Sequence, residues 1–188
     1  MNERRLNRFK GGIFLTGFMA SGKSTYGKAL AELLDWPFTD LDQYIEKEEG
    51  RSINEIFKQE GEEYFRTLER KAVLSLTPDL KNQVVALGGG ALHNQHMVDH
   101  LKFNGLLICF ETPMVEITKR VFDSSERPIL YRDNGEKKTK EMLMDELKTL
   151  YSGRKKWYDQ SQITINTANY KNNEDLIRDL IKKIQLHV

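Results

Sequence analysis

Cysteine is nearly absent from this sequence. Cys109 is the only one in 188 residues, so no disulfide can form within the chain, which suits a reducing cytoplasm. An excess of charge of one sign is also missing: 29 basic residues face 28 acidic ones, for a net charge of +1. Nothing global therefore points to nucleic acid or an anionic membrane as a partner. No apolar run approaches membrane-spanning length. The start is basic, with Arg4, Arg5, Arg8 and Lys10, but no apolar segment follows, so a frayed terminus is expected there rather than a secretory signal. Repeats and low-complexity tracts are lacking too. The length fits one domain over 1–188 with a full core, and a monomer is the default state.

What is present is organised around Gly17-Phe18-Met19-Ala20-Ser21-Gly22-Lys23-Ser24, followed by Thr25. The stretch fits the phosphate-binding pattern G-x-x-x-x-G-K-[ST]. It stands between an apolar run suited to a buried strand (13–16) and a helical pattern (26–34) with Ala29, Leu30, Leu33 and Leu34 on one face. Gly17 and Gly22 allow backbone angles that let successive N–H groups curl around phosphate oxygens. The helix that follows adds its positive dipole end to the same anion. Lys23 would bridge the β- and γ-phosphates of a nucleoside triphosphate, and the Ser24 hydroxyl would ligate Mg²⁺. Gly17, Ala20, Ser21, Gly22, Lys23, Ser24 and Thr25 are the candidate nucleotide contacts.

Further along, 35–42 reads as a turn into a short second strand carrying Asp40 and Asp42. If extended, that segment points both carboxylates to one side, at a carboxyl end of the sheet where ligands gather. One could serve the magnesium's water shell and the other a substrate hydroxyl. Asp42 could equally be the N-cap of the helix beginning at Gln43. A helical pattern then runs over 43–75, with breaks near Gly50 and Gly61 and a capping box at Ser52-Ile53-Asn54-Glu55. Arg66 and Glu69 share a face, so Arg66 is either a paired surface cation or a clamp for a substrate carboxylate. A β run at 84–87 ends in Gly88-Gly89-Gly90, which is either a loop or a bare-backbone wall against a ligand.

Strands are also expected at 106–110 and 163–166, and helices at 114–122, 139–158 and 173–186, the last being amphipathic. The stretch 123–140 is rich in charge and turn residues. It is either a solvated loop or a lid that brings Arg120 and Arg127 over a nucleotide. Strands alternating with helices argue for an α/β fold: five parallel strands with helices on both faces.

In combination these motifs resemble the shikimate kinase family, a group of small P-loop kinases with the nucleoside monophosphate kinase-like fold. The residues carrying the resemblance are the phosphate loop, Asp40-Leu41-Asp42, Phe65-Arg66-Thr67-Leu68-Glu69, Gly88-Gly89-Gly90, Arg127-Pro128 and the 154–158 pattern. The resemblance implies a three-layer fold with sheet order 2-3-1-4-5, a substrate-binding segment at about 44–69 and a mobile lid at about 123–138. It implies ATP and shikimate as small-molecule substrates, with Mg²⁺. The reaction would be phosphorylation of the 3-hydroxyl of shikimate, in aromatic amino acid biosynthesis. By that resemblance Asp42 binds shikimate hydroxyls and is the candidate base, and Asp40 lies near magnesium. Arg66 and Arg154 hold the carboxylate, Gly88, Gly89 and Gly90 line the ring, and Phe57 and Phe65 pack near it. Lys23 and the lid residue Arg127 contact phosphate, and Arg120 lies near the adenine.

Two stretches depart from the family pattern. The usual Arg-x-Pro-Leu-Tyr-x-x-x-Ala reads Arg154-Lys155-Lys156-Trp157-Tyr158-Asp159-Gln160-Ser161, without the proline or the alanine. An aspartate–threonine pair near the adenine is replaced by Asn166-Thr167. Rival kinases would show other signatures: a His-Pro-x-x-Asn-x-x-Lys-Met run for gluconate, Asp-Gly-x-Pro-Arg for a nucleoside monophosphate, Asn-Lys-x-Asp for guanine. None is found at the corresponding place. A non-catalytic nucleotide sensor is the rival of another class, and turnover on a small acceptor separates the two.

Overall fold

Ile13, Phe14 and Leu15 are apolar on both faces of their strand because that strand is the middle of the sheet. A computed structural model describes residues 9, 11–79, 81–124, 127–132 and 134–188 of the chain. Within it β1 (Gly12–Gly17) is buried along its whole length between β3 (Gln83–Ala86) and β4 (Gly105–Glu111). β2 (Phe38–Asp40) and β5 (Ile163–Asn166) form the two edges, every pairing is parallel, and the order is β2-β3-β1-β4-β5, as the family resemblance implied.

Alternation along these strands divides the apolar residues between two layers. Ile13, Leu15, Val84, Leu106 and Ile108 face helices α1 (Lys23–Leu34) and α7 (Asn173–His187). Phe14, Val85, Leu107 and Cys109 face the opposite layer. That layer is built from α2 (Leu41–Glu49), α3 (Ile53–Leu76), α4 (Gln95–Asn104), α5 (Met114–Phe122) and α6 (Lys140–Tyr158). Each fully buried Leu or Phe there contributes about 2 kcal/mol.

The chain goes from β1 to one side of the sheet for β2 and β3, then crosses to the other side for β4 and β5. Ligand sites in such sheets lie beyond the carboxyl ends of the strands where the winding reverses. Here that is the end of β1, where the glycine loop begins.

Local signals hold at most boundaries. Ser52 and Glu55 form the capping box at the start of α3. Gly61 breaks that helix at φ 82°, ψ 179°. Three expectations need correction. α1 begins at Lys23, ahead of Tyr26, because Gly22 caps it in a left-handed conformation. α4 was not anticipated: its two histidines and mixed polarity hide the buried stripe Met97, Val98 and Leu101, although Asn94 caps it through the Met97 N–H at 2.9 Å. Asp42 is not extended. The strand ends at Asp40, and Asp42 sits in the first turn of α2.

The 123–140 stretch is folded where it is described. Pro128–Leu130 makes a 3-10 turn whose Leu130 is fully buried, and Tyr131 pairs antiparallel with Lys137. The basic residues Arg4, Arg5, Arg8 and Lys10, and Ser125, Glu126 and Asp133 of the expected lid, lie outside the described residues.

Candidate active site

The loop between β1 and α1 turns its own backbone inward. Gly17 and Gly22 take φ of 135° and 97°, and Ala20 also has a positive φ of 57°, a conformation in which adjacent N–H groups converge into an anion-binding concavity. Ser21 is fully buried, its hydroxyl without a hydrogen-bond partner among the described residues, and its carbonyl accepts from Thr112 Oγ1 at 3.2 Å. Lys23 folds back over the loop, donating to the Gly17 and Phe18 carbonyls at 3.0 Å each. Burial pulls its pKa down to about 8, against the opposing charge of Asp42, so it stays a cation at neutral pH. Thr25 is exposed in the first turn of α1 and lines the same cleft.

That cleft, of about 480 Å³, is walled by Lys23, Ser24, Asp40, Asp42, Gly89, Arg120 and Arg127. Asp40 is the N-cap of α2: its Oδ1 accepts from the Asp42 and Gln43 N–H groups at 3.1 and 3.4 Å. Its Oδ2 accepts from Ser24 Oγ at 2.5 Å. The capping role considered for Asp42 thus belongs to Asp40, and the Asp42 carboxylate is left to the cleft. Burial, then the charge of Asp40, raise the Asp42 pKa, and its Oδ1 has no hydrogen-bond partner among the described residues.

Behind Asp42 stands a second buried carboxylate. Glu69 is 1% exposed and gives one oxygen to Arg66, and the other has no hydrogen-bond partner among the described residues. A Cβ on Gly88 would meet that oxygen and would lie 2.8 Å from Asp42 Oδ1, so a side chain there would push the pair aside. Desolvation, with help from Asp42, lifts Glu69 to about 7 despite the pull of Arg66. Arg66 also takes Glu62 at 2.8 Å, and a Cβ on Gly90 would fall 2.6 Å from its guanidinium.

Arg154, on α6, donates to the Gly89 carbonyl at 3.1 Å. Two arginines, from α3 and α6, therefore meet at the glycine turn. α6 runs unbroken through Arg154 to Tyr158.

The Phe57 and Phe65 rings meet at a tilt, their centres 4.8 Å apart, and the Arg66 guanidinium lies 5.5 Å from the Phe65 ring. Neither ring lines the main cleft. Arg120 donates to the Ala20 carbonyl at 3.0 Å and to Glu116. It also borders an adjoining hollow of about 340 Å³ with Tyr26, Thr167 and Ala168. Asn166 caps the Ala168 N–H at 3.0 Å, and Thr167 donates to Thr112.

Sequence reading treated Glu69 only as a partner for Arg66 and gave Tyr158 no role. The signal for both was their spacing, three and four residues from an arginine of interest on the same helix face.

Known proteins share this sequence pattern and this fold. Residues 19–185 match the family model described as "Shikimate kinase". The chain is 40% identical over 173 residues to a shikimate kinase of Persephonella marina, covering 92% of this chain and 98% of the relative. The shikimate kinase structure from Bacteroides thetaiotaomicron superposes with a TM-score of 0.84 at 30% identity, over 93% of this chain and 98% of that one. A shikimate kinase from Acinetobacter baumannii, solved in complex with shikimate, gives 0.82 at 33% identity, over 95% of this chain and 94% of that one. With loop, carboxylates and arginines in place and a family match running over nearly its full length, the chain belongs to the shikimate kinase family.

Proposed function

We propose that this protein transfers the γ-phosphoryl group of ATP to the 3-hydroxyl of shikimate, a step toward aromatic amino acids. The observation that carries this reading is the buried Asp42 oxygen in the cleft it shares with Lys23, without a hydrogen-bond partner among the described residues. It is an acceptor placed to take a hydrogen bond from a hydroxyl. In the phosphate-loop half, the backbone N–H groups and Lys23 bind the triphosphate, Lys23 exchanging its two carbonyl partners for phosphate oxygens. Arg127 closes over the phosphates from the segment 123–138, which we assign as the lid, and Arg120 borders the hollow assigned to the adenine.

The donor set suits Mg²⁺. Ser24 and Asp40 offer two hard oxygens 2.5 Å apart. Among the described residues no cluster of three acidic, histidine or cysteine side chains could hold a metal by itself. Magnesium characteristically relies on one or two protein oxygens plus phosphates and water. When bound it would neutralise charge on the β- and γ-phosphate oxygens.

The transfer passes through a loose transition state, so positioning and charge neutralisation do most of the work. Asp42 orients the acceptor hydroxyl and takes its proton as the new O–P bond forms and the bond to the departing ADP oxygen breaks. Arg66 and Arg154 face the acceptor carboxylate, with Gly88, Gly89 and Gly90 against the ring and Phe57 and Phe65 supporting the segment 44–69. Shikimate has one carboxylate and three hydroxyls, which matches two arginines and an acidic acceptor.

One chain carries every residue named, which supports action as a monomer in a single unit over 1–188. Balanced charge and the lone buried Cys109 support a cytoplasmic enzyme with no nucleic acid or membrane partner. Among the described residues no helix is long and apolar enough to cross a membrane.

A coupled ADP-release assay with ATP, Mg²⁺ and shikimate, with quinate and gluconate in parallel, tests the reading. Turnover on shikimate alone is expected. Turnover only on another polyol acid would overturn the acceptor assignment, and nucleotide binding with no turnover would favour a sensor.

A further inference from the structure

The two arginines on the acceptor side are held by unlike means. Arg66 is tied to two carboxylates, Glu62 and the buried Glu69. Arg154 has no ion pair among the described residues; it donates to the Gly89 carbonyl and lies against the Tyr158 hydroxyl. A single neutral acceptor holds a long, flexible side chain weakly unless that acceptor is itself fixed.

Tyr158 fixes it. One helical turn after Arg154 on α6, its hydroxyl donates to the same Gly89 carbonyl at 2.5 Å. The side chain is 2% exposed, and burial pushes the phenol above its ordinary range, so it remains a donor throughout neutral pH. Its ring lies 6.1 Å from Tyr151, Tyr151 meets Phe18 of the phosphate loop edge-on at 5.7 Å, and the Arg154 guanidinium lies 5.9 Å from that same Phe18 ring. Phosphate loop, glycine turn and α6 thus close into a ring of contacts with Arg154 inside it.

We propose that Tyr158 is a positioning residue for the acceptor carboxylate: by pinning the Gly89 carbonyl it aims one edge of the Arg154 guanidinium and leaves the other N–H groups to bind the anion. It does for Arg154 what Glu69 does for Arg66, with a neutral group in place of a charge. The inference rests on the assignment of shikimate as acceptor.

Tyr158→Phe keeps the ring, and Gly89 keeps one donor, so the fold should persist. The expected result is a rise of about tenfold in KM and in calorimetric Kd for shikimate, the size of one hydrogen bond. KM for ATP should stay within about twofold, with the melting temperature close to that of the unaltered protein. In an Arg154→Ala background, Tyr158→Phe should weaken shikimate binding no further, since the two act as one unit. An unchanged KM for shikimate would overturn the proposal. So would a parallel rise for ATP and shikimate, or additive losses in the double variant. If the unaltered protein turns over another acceptor and not shikimate, the acceptor assignment itself is overturned and the proposal with it. That outcome is distinct, because it is read before any substitution is made.

Discussion

The phosphate loop takes its contacts from residues that follow one another in the chain, whereas the acceptor side assembles residues from α2, α3, the 88–90 turn and α6. In the first region the binding we propose falls to backbone groups, and Lys23 reaches carbonyls five and six residues away. In the second it falls to side chains, and Arg154 and Tyr158 reach a carbonyl 65 and 69 residues away. A backbone cradle is fixed by glycine conformations and a helix start, both local. A side-chain site needs buried charges held by partners brought from elsewhere, so its electrostatics depend on the whole fold.

The sharpest way to separate the halves is to remove one charge from each. Lys23→Ala should lower kcat by about 10³-fold and raise KM for ATP, because a preorganised donor to the transferring phosphoryl is lost. Asp42→Asn should lower kcat by about 10²–10⁴-fold and weaken shikimate while ATP still binds. Nucleotide titration of both variants by calorimetry, with kinetics, checks the split. Near-normal turnover by Asp42→Asn would remove its role as base and orienter.

Gly90→Ala tests the acceptor side alone. The added methyl group meets the Arg66 guanidinium, an overpacking that costs about 1–3 kcal/mol. The guanidinium must shift to make room, so KM for shikimate should rise by about tenfold, the size of one hydrogen bond to a charged group, with KM for ATP little changed. A larger effect on ATP than on shikimate would mean that the two halves are not independent.

The halves should also differ in the sign of their pH dependence. Glu69 is raised from 4.5 to about 7, so the folded protein holds that proton more tightly than the unfolded chain. Its contribution to stability is complete below about pH 4.5 and is lost as pH rises through 7. Lys23 is lowered from 10.5 to about 8, so here the unfolded chain binds the proton more tightly, and stability rises between about pH 8 and 10.5. Melting temperatures across pH should show Glu69→Gln flattening the first slope and Lys23→Met the second, each by about 5 °C.

The smallest effect lies outside both regions. Gly50 ends α2 at φ 65° with nothing within 4 Å of a Cβ. Gly50→Ala should cost about 1 kcal/mol by chemical denaturation and leave both KM values unaltered.

How much could be read in advance follows the same division. The phosphate loop was legible because its pattern, the strand before it and the helix after it are neighbours in sequence. The capping box at Ser52 and the break at Gly61 were legible for the same reason. The carboxylate pair was half legible: Asp40 and Asp42 do share the cleft, but through a helix turn rather than an extended strand, since Asp40 caps α2. Helix α4 was missed because only three of its side chains are buried against the core.

By itself the sequence determined the alternation of strands and helices, the phosphate-binding loop and, through motif resemblance, the family. These rest on local backbone preference and short spacing, which a linear chain displays directly. Only the tertiary structure decided that Glu69 is a buried acid against Asp42 and that side chains pack directly on Gly88 and Gly90. It alone also showed that Tyr158 and Arg154 share the Gly89 carbonyl. Burial and charge coupling arise when distant segments exclude water together, and no local pattern carries that information.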